Sequence, residues 1–171
     1  NVLTTHEDLD IDSLSKVFSH VSTSYKYLFF LGILECLKSR KQESNVIDID
    51  DIIRKMLILA WYPNRYCRLS FGSADKISSV LASSFIELED ESIVFGENVV
   101  TQLDNHFQKI QESRTWRESS ILKRYVVYRF LSPFLEAKVK GKNEKEKNEI
   151  ICRLSSSAFE LSRVPYRIVK K

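Results

Sequence analysis

Glycine and proline are scarce in this chain, at four and three in 171 residues. Sandwiches and barrels use both freely at closely spaced turns, so the scarcity argues for long regular elements instead. Cysteine is scarce as well. Cys36, Cys67 and Cys152 are widely spaced and odd in number, which suits reduced thiols better than a disulfide framework. There is no CxxC or CxxxH pairing, and the three histidines are scattered singly, so neither a structural zinc nor a metal-dependent nuclease centre is expected. Long apolar runs are missing: Tyr27–Leu34 falls far short of the roughly 20 residues a membrane helix needs. The start of the chain carries Glu7, Asp8, Asp10 and Asp12 and is too acidic for a signal peptide. These absences together describe a cytoplasmic protein without a membrane partner.

The motifs of common chemistry are missing too. A serine hydrolase of the elbow type needs GxSxG, and nucleotide-binding loops need GxxxxGK[ST] or GxGxxG; none is present. No catalytic residue, metal ligand or small-molecule cofactor site is therefore expected in this chain.

What is present is apolar content and an uneven charge. At 43% hydrophobic, 171 residues can bury one sizeable core, so a single domain is the expectation, with 1–12 as an irregular lead-in and 162–171 as an extended tail. The net charge of +3 conceals two halves. Residues 1–113 hold 11 Lys/Arg against 17 Asp/Glu, a balance of −6, whereas residues 114–171 hold 15 against 6, a balance of +9. A basic third on an acidic remainder points to a polyanionic partner. A solvated Lys/Glu helix near 138–149 explains part of that excess. It does not explain Arg114, Arg117, Lys123, Arg124 and Arg129, which alternate with Trp116, Tyr125, Tyr128 and Phe130.

Periodicity predicts a mainly α, compact multi-helix domain of about six helices with a short β-hairpin or extended connectors. Ser13 is the expected cap of a helix to Val21, and Thr23 or Ser24 of a helix from Tyr25 to about Lys38. The second is apolar nearly all round, which marks a central element, and Gly32 inside it implies the close approach of another helix. Lys26 on its first turn has two readings, a snorkelling lysine or a phosphate or carboxylate contact. Asp48 is the expected cap of the strongest helix, with Ile49, Ile52, Ile53, Met56, Leu57 and Ala60 on its inner face. Pro63 predicts an exit at Trp61–Tyr62 into a loop bearing Arg65, Tyr66 and Arg68. A helix from Ala74 to about Ser84 would be capped by Ser73, and the alternation of Ile86–Phe95 suggests a hairpin bending at Asp90–Glu91. Further helices are expected over Asn98–Gln111 and Glu144–Glu160, with residues 119–135 passing from a short helix into an extended run. The acidic cluster Asp48/Asp50/Asp51 lacks the glycine and glutamate of a calcium loop, so capping explains it.

Several stretches also resemble a known family. Thr23–Leu34 (TSYKYLFFLGIL), Met56 through Ala60-Trp61-Tyr62-Pro63, Leu69-Ser70-Phe71-Gly72 with Asp75-Lys76, and Tyr128–Phe134 (YRFLSPF) occur in the chain in that order. This succession, over roughly residues 13–135, resembles the N-terminal helical region of bacterial HNH-endonuclease-domain proteins of restriction and defence. Val164–Ile168 is similar to the lead into that family's catalytic part. The histidine-bearing nuclease motif does not occur before Lys171, so no catalytic or metal residue carries over, and a divalent metal would belong to a missing HNH domain. The resemblance implies a DNA-associated module, with endonuclease activity expected only where the protein continues into such a domain.

Two functions follow as expectations. In the first, DNA is the partner and Lys26, Arg65, Arg68, Arg117, Lys123, Arg124 and Arg129 neutralise phosphates beside stacking Tyr or Trp rings. In the second, the same Tyr/Arg enrichment serves a protein partner or a homo-oligomer.

Overall fold

The computed structural model describes residues 10–19, 24–39, 46–72, 75–88, 93–111, 113–157, 159 and 163–169. Its fold is mainly helical, as expected, and no strand occurs among the described residues. The chain forms two compact units: Ser22–Arg124, and Asn1–Val21 with Tyr125–Lys171.

In the unit Ser22–Arg124 the elements are α2 (Tyr25–Lys38), α3 (Ile49–Arg65), α4 (Lys76–Leu88), α5 (Val99–Lys109) and α6 (Arg114–Glu118). They follow α1 (Ile11–Ser19) of the other unit and lead into α7 (Ser120–Leu131), within which the division falls. Asp48 caps α3 as expected, accepting from the Asp50 N–H at 2.9 Å. The stripe Ile52, Ile53, Met56, Leu57 and Ala60 is buried. Gly32 of α2 lies directly against it. A β-carbon there would stand 3.0 Å from the Ile52 carbonyl oxygen and 3.3 Å from Met56 Cγ, so the notch lets α2 and α3 approach closely. Phe29, Ile77, Leu103, Phe107, Ile110 and Leu122 close the core around α3. On its outer side Asp104 of α5 accepts from Arg54 Nε at 3.1 Å and Lys55 Nζ at 3.2 Å.

Several expected boundaries are corrected. Helix α3 continues through Pro63 to Arg65 instead of leaving at Trp61–Tyr62. A proline so near the end forfeits one backbone bond, and the Tyr66 N–H still closes the last turn on the Tyr62 carbonyl at 3.0 Å. The cap of α4 is Asp75, whose carboxylate accepts from the Ser78 N–H at 2.9 Å; Ser73 and Ala74 lie outside the described residues. The hairpin is not found, because α4 runs on to Leu88, and residues 89–92 lie outside the described residues. Ser24 precedes α2 at the expected place but makes no side-chain capping bond.

The second unit holds α1, the rest of α7, a 3-10 turn (Ser132–Leu135), α8 (Glu136–Val139) and α9 (Glu144–Ser157). Helix α1 is capped by Asp10, not Ser13: its carboxylate accepts from the Ser13 N–H at 2.9 Å and the Ser13 hydroxyl at 2.6 Å. Those bonds, hydroxyl first, hold the Asp10 pKa below the ordinary value. Val21 and residues 1–9 lie outside the described residues. The expected extended run after residue 119 is helical. Leu122, Val126 and Phe130 repeat every four residues and are all buried, and that burial overrides the strand preference of Val126–Val127. Asn143 and Glu146 form a reciprocal capping box at the start of α9, with bonds of 2.9 and 3.3 Å. Leu131, Leu135, Val139, Ile151 and Val164 form the core of this unit. Ala158 and Glu160, at the end of the expected last helix, lie outside the described residues.

Residues 164–169 are non-helical, as expected, and are tied to this core. The Ser156 hydroxyl donates to the Ile168 carbonyl at 2.6 Å, and the Tyr166 hydroxyl to the Val127 carbonyl at 2.5 Å. Burial, and secondarily the nearby Tyr128, push the Tyr166 pKa well above 10. A phenol harder to ionise folded than unfolded stabilises the fold below about pH 10 and loses that contribution as pH rises further. Denaturation of the wild type should therefore show stability falling above about pH 10, and Tyr166→Phe should flatten this limb while losing about 1 kcal/mol at neutral pH.

Candidate nucleic-acid interface

Helix α3 ends in an aromatic cluster. Trp61 is buried and meets the Tyr66 ring edge-on, with centroids 5.6 Å apart. One turn spans Tyr62, Arg65 and Tyr66, so helical spacing sets these three side by side. The Tyr62 ring stacks on Tyr66 at 5.1 Å and leans on Phe95 at 4.6 Å. The Phe95 N–H donates to the Tyr66 hydroxyl at 3.2 Å, which fixes the segment before α5 to the end of α3.

The loop after α3 is held by hydrogen bonds on both sides. Arg68 takes a left-handed conformation, φ 55°, and turns the chain back so that the Leu69 N–H reaches the Pro63 carbonyl at 3.1 Å. Asn64 Nδ2 donates to the Leu69 carbonyl at 3.2 Å and to the Ser78 hydroxyl at 2.6 Å. Asp75 then gathers the Phe71 N–H at 2.8 Å and the Ser78 hydroxyl at 2.5 Å. At the start of α2, the N–H of the preceding Ser24 donates to the Phe71 carbonyl at 3.1 Å and the Tyr25 hydroxyl accepts from the Lys76 N–H at 2.6 Å. Burial tends to raise the Asp75 pKa, but the hydrogen bonds from Ser78, Phe71 and Ser70 outweigh it and leave the carboxyl below its ordinary value. Burial raises that of Tyr25.

Arg65, the last residue of α3, and Arg68, on this anchored loop, are both exposed, and neither has a carboxylate partner among the described residues. The other expected contact residues are differently placed. Lys123 pairs with Asp50 and lies over the Trp116 ring at 5.9 Å, while the Trp116 indole N–H donates to the same carboxylate at 2.7 Å. Arg117 shares an open cleft with Lys123, but Asp48, Asp50 and Asp51 line it as well, so its local charge does not favour a polyanion. This cleft is at the start of α3, about 22 Å along the helix from Arg65 at 1.5 Å per residue. Arg124 is exposed on α7, and Lys26 is half-buried on the first turn of α2. Arg129 belongs to the other unit, where it pairs with Glu144 at 3.2 Å and lies 4.9 Å over the Tyr125 ring.

Arg65 and Arg68 thus stand without acidic partners among the described residues, whereas Lys123 and Arg129 are engaged with acids. Two contributors escaped the sequence reading. Phe95 lay in the supposed hairpin, and Asp75, three residues before Ser78, carries a capping spacing that the nearby Ser73 obscured. His106, one of the three singly scattered histidines, is buried against Phe85 with ring centroids 4.3 Å apart and its Nε2 3.4 Å from the Ser84 hydroxyl. Among the described residues no group of His, Cys, Asp and Glu is arranged to hold a metal ion, and no helix is long and apolar enough to cross a membrane.

Comparison with protein-family models, with characterised proteins and with solved structures finds no match.

Proposed function

We propose that this chain is a DNA-binding, target-positioning helical module of an HNH or restriction-type nuclease in bacterial defence, non-catalytic by itself. One observation carries the reading: two arginines without acidic partners among the described residues, one at the end of α3 and one on the hydrogen-bonded loop after it, stand beside exposed aromatic rings. Uncompensated cations on a pre-ordered loop attract phosphates and need little reorganisation to hold them. The stretches resembling the nuclease family flank these arginines, one ending at Pro63 and the next beginning at Leu69. Any divalent metal would belong to an HNH domain, and the three free thiols accord with a cytoplasmic setting. Fluorescence anisotropy with labelled oligonucleotides tests the reading. Binding should weaken about tenfold or more between about 50 and 200 mM salt. No binding at either salt contradicts it.

A second reading has its own observation. Leu69 and Val94 are exposed at 54% and 65% near the aromatic cluster in sequence, and Tyr/Arg-rich apolar surface also suits a protein partner or a second copy of this chain. Sedimentation equilibrium showing a strict monomer at high concentration contradicts self-association.

A further inference from the structure

We infer that Tyr62, Tyr66 and Phe95 form a stacking platform for unpaired bases, so that the end of α3 takes single-stranded nucleic acid in preference to duplex. The inference rests on the nucleic-acid reading above and specifies which form of DNA it concerns.

The three rings touch one another yet remain 41%, 47% and 59% exposed. Single exposed aromatics are ordinary, but three in mutual contact are a surface, and contiguous apolar surface marks an interaction site. The cluster is rooted in the core through Trp61 and fixed by the bond from the Phe95 N–H to the Tyr66 hydroxyl, so its rings are ordered before any ligand arrives. Stacking on ordered rings loses little side-chain entropy.

Charge decides the kind of occupant. Arg65 lies between Tyr62 and Tyr66 in sequence and shares their turn of helix, and Arg68 follows in the anchored loop. A purely apolar partner would leave these cations without complement, whereas a nucleic-acid strand supplies a phosphate for each base it offers. A duplex hides its base faces within its own stack; an unpaired strand presents them, and every base has a π-face. Two arginines supply few phosphate contacts, so base stacking must provide a large share of the affinity, and only the single strand can provide it.

The test uses the whole chain and three fluorescent probes of about 20 nucleotides, a length exceeding one binding module's usual site: an oligo-dT single strand, an abasic strand of equal charge, and a mixed-sequence duplex. The single strand should bind about tenfold or more tightly than either of the others. Tyr62→Ala and Phe95→Ala should each weaken single-strand binding by about five- to 150-fold, the equivalent of one stacked base, and leave duplex binding unchanged. Tyr62→Phe keeps the ring and should bind as the wild type does, which separates loss of stacking from loss of fold. If duplex and abasic strand bind as well as oligo-dT, the platform is overturned while the phosphate-binding reading stands. If no probe binds, both fall. If Tyr62→Ala instead abolishes a self-association seen by sedimentation, the patch is a protein interface and the inference is overturned.

Discussion

Gly32→Leu should destabilise the unit Ser22–Arg124 by about 3 kcal/mol or more, among the largest losses available to a single substitution in this chain. A glycine inside a helix sacrifices about 1 kcal/mol of propensity relative to alanine, so replacement alone would stabilise α2. The space does not allow it. The first added carbon already meets the Ile52 carbonyl oxygen at 3.0 Å and Ile52 Cγ2 at 3.2 Å, and the first of these is backbone in the first turn of α3. Gly32→Ala therefore sets about 1 kcal/mol of propensity against an overpacking penalty of about 1–3 kcal/mol, for a small net loss. Leucine adds three more carbons at the same contact and must force the helices apart. Thermal melts should rank Gly32 above Gly32→Ala and Gly32→Leu lowest, the last about 6–12 °C below wild type. A leucine variant melting with the wild type would mean that α2 and α3 do not meet at this notch.

Asp75→Ala should cost about 2–3 kcal/mol and weaken DNA binding, although Asp75 itself touches no ligand in this account. Its carboxylate caps α4 through the Ser78 N–H, takes the Ser78 hydroxyl, and holds the Phe71 N–H of the loop after α3. Alanine strands those donors at once and frees the loop that presents Arg68. Because the folded-state pKa lies below the ordinary 3.8, the carboxylate stabilises the fold above about pH 4 and loses that contribution as pH falls through the lowered value. Urea denaturation from about pH 3 to 7 should therefore show an acid limb in the wild type that Asp75→Ala flattens. Equal stability of the two proteins at neutral pH would remove Asp75 from this role.

Local rules made much of the framework legible. The bounds of α2, the Asp48 cap, the buried face of α3 and the reason for Gly32 all follow from spacing within a single helix, which sequence states directly. Caps were misplaced where two candidates lay within a few residues, as with Ser13 beside Asp10, because only the geometry shows which oxygen reaches the free N–H groups. The Ile86–Phe95 alternation suggested a hairpin, yet Ile86 sits in a helix and only the packing of Phe95 on Tyr62 reveals its use. The basic residues misled most. Lys123 and Arg117 sit beside Arg124 in sequence, but Lys123 shares Asp50 with Trp116, a contact between residues 66 positions apart that no local pattern announces. Arg65 and Arg68 seemed equally able to pair with the acidic half; among the described residues they do not.

The most direct test of this account is the salt dependence of oligonucleotide affinity for the wild type and for the double variant Arg65→Ala/Arg68→Ala. If these two arginines hold phosphates, the double variant should bind about tenfold or more weakly, and its slope of log affinity against log salt should be shallower by about one to two. Circular dichroism should be unchanged, since neither side chain packs in the core. An unaltered affinity and an unaltered slope would contradict the account and move any nucleic-acid contact away from the end of α3.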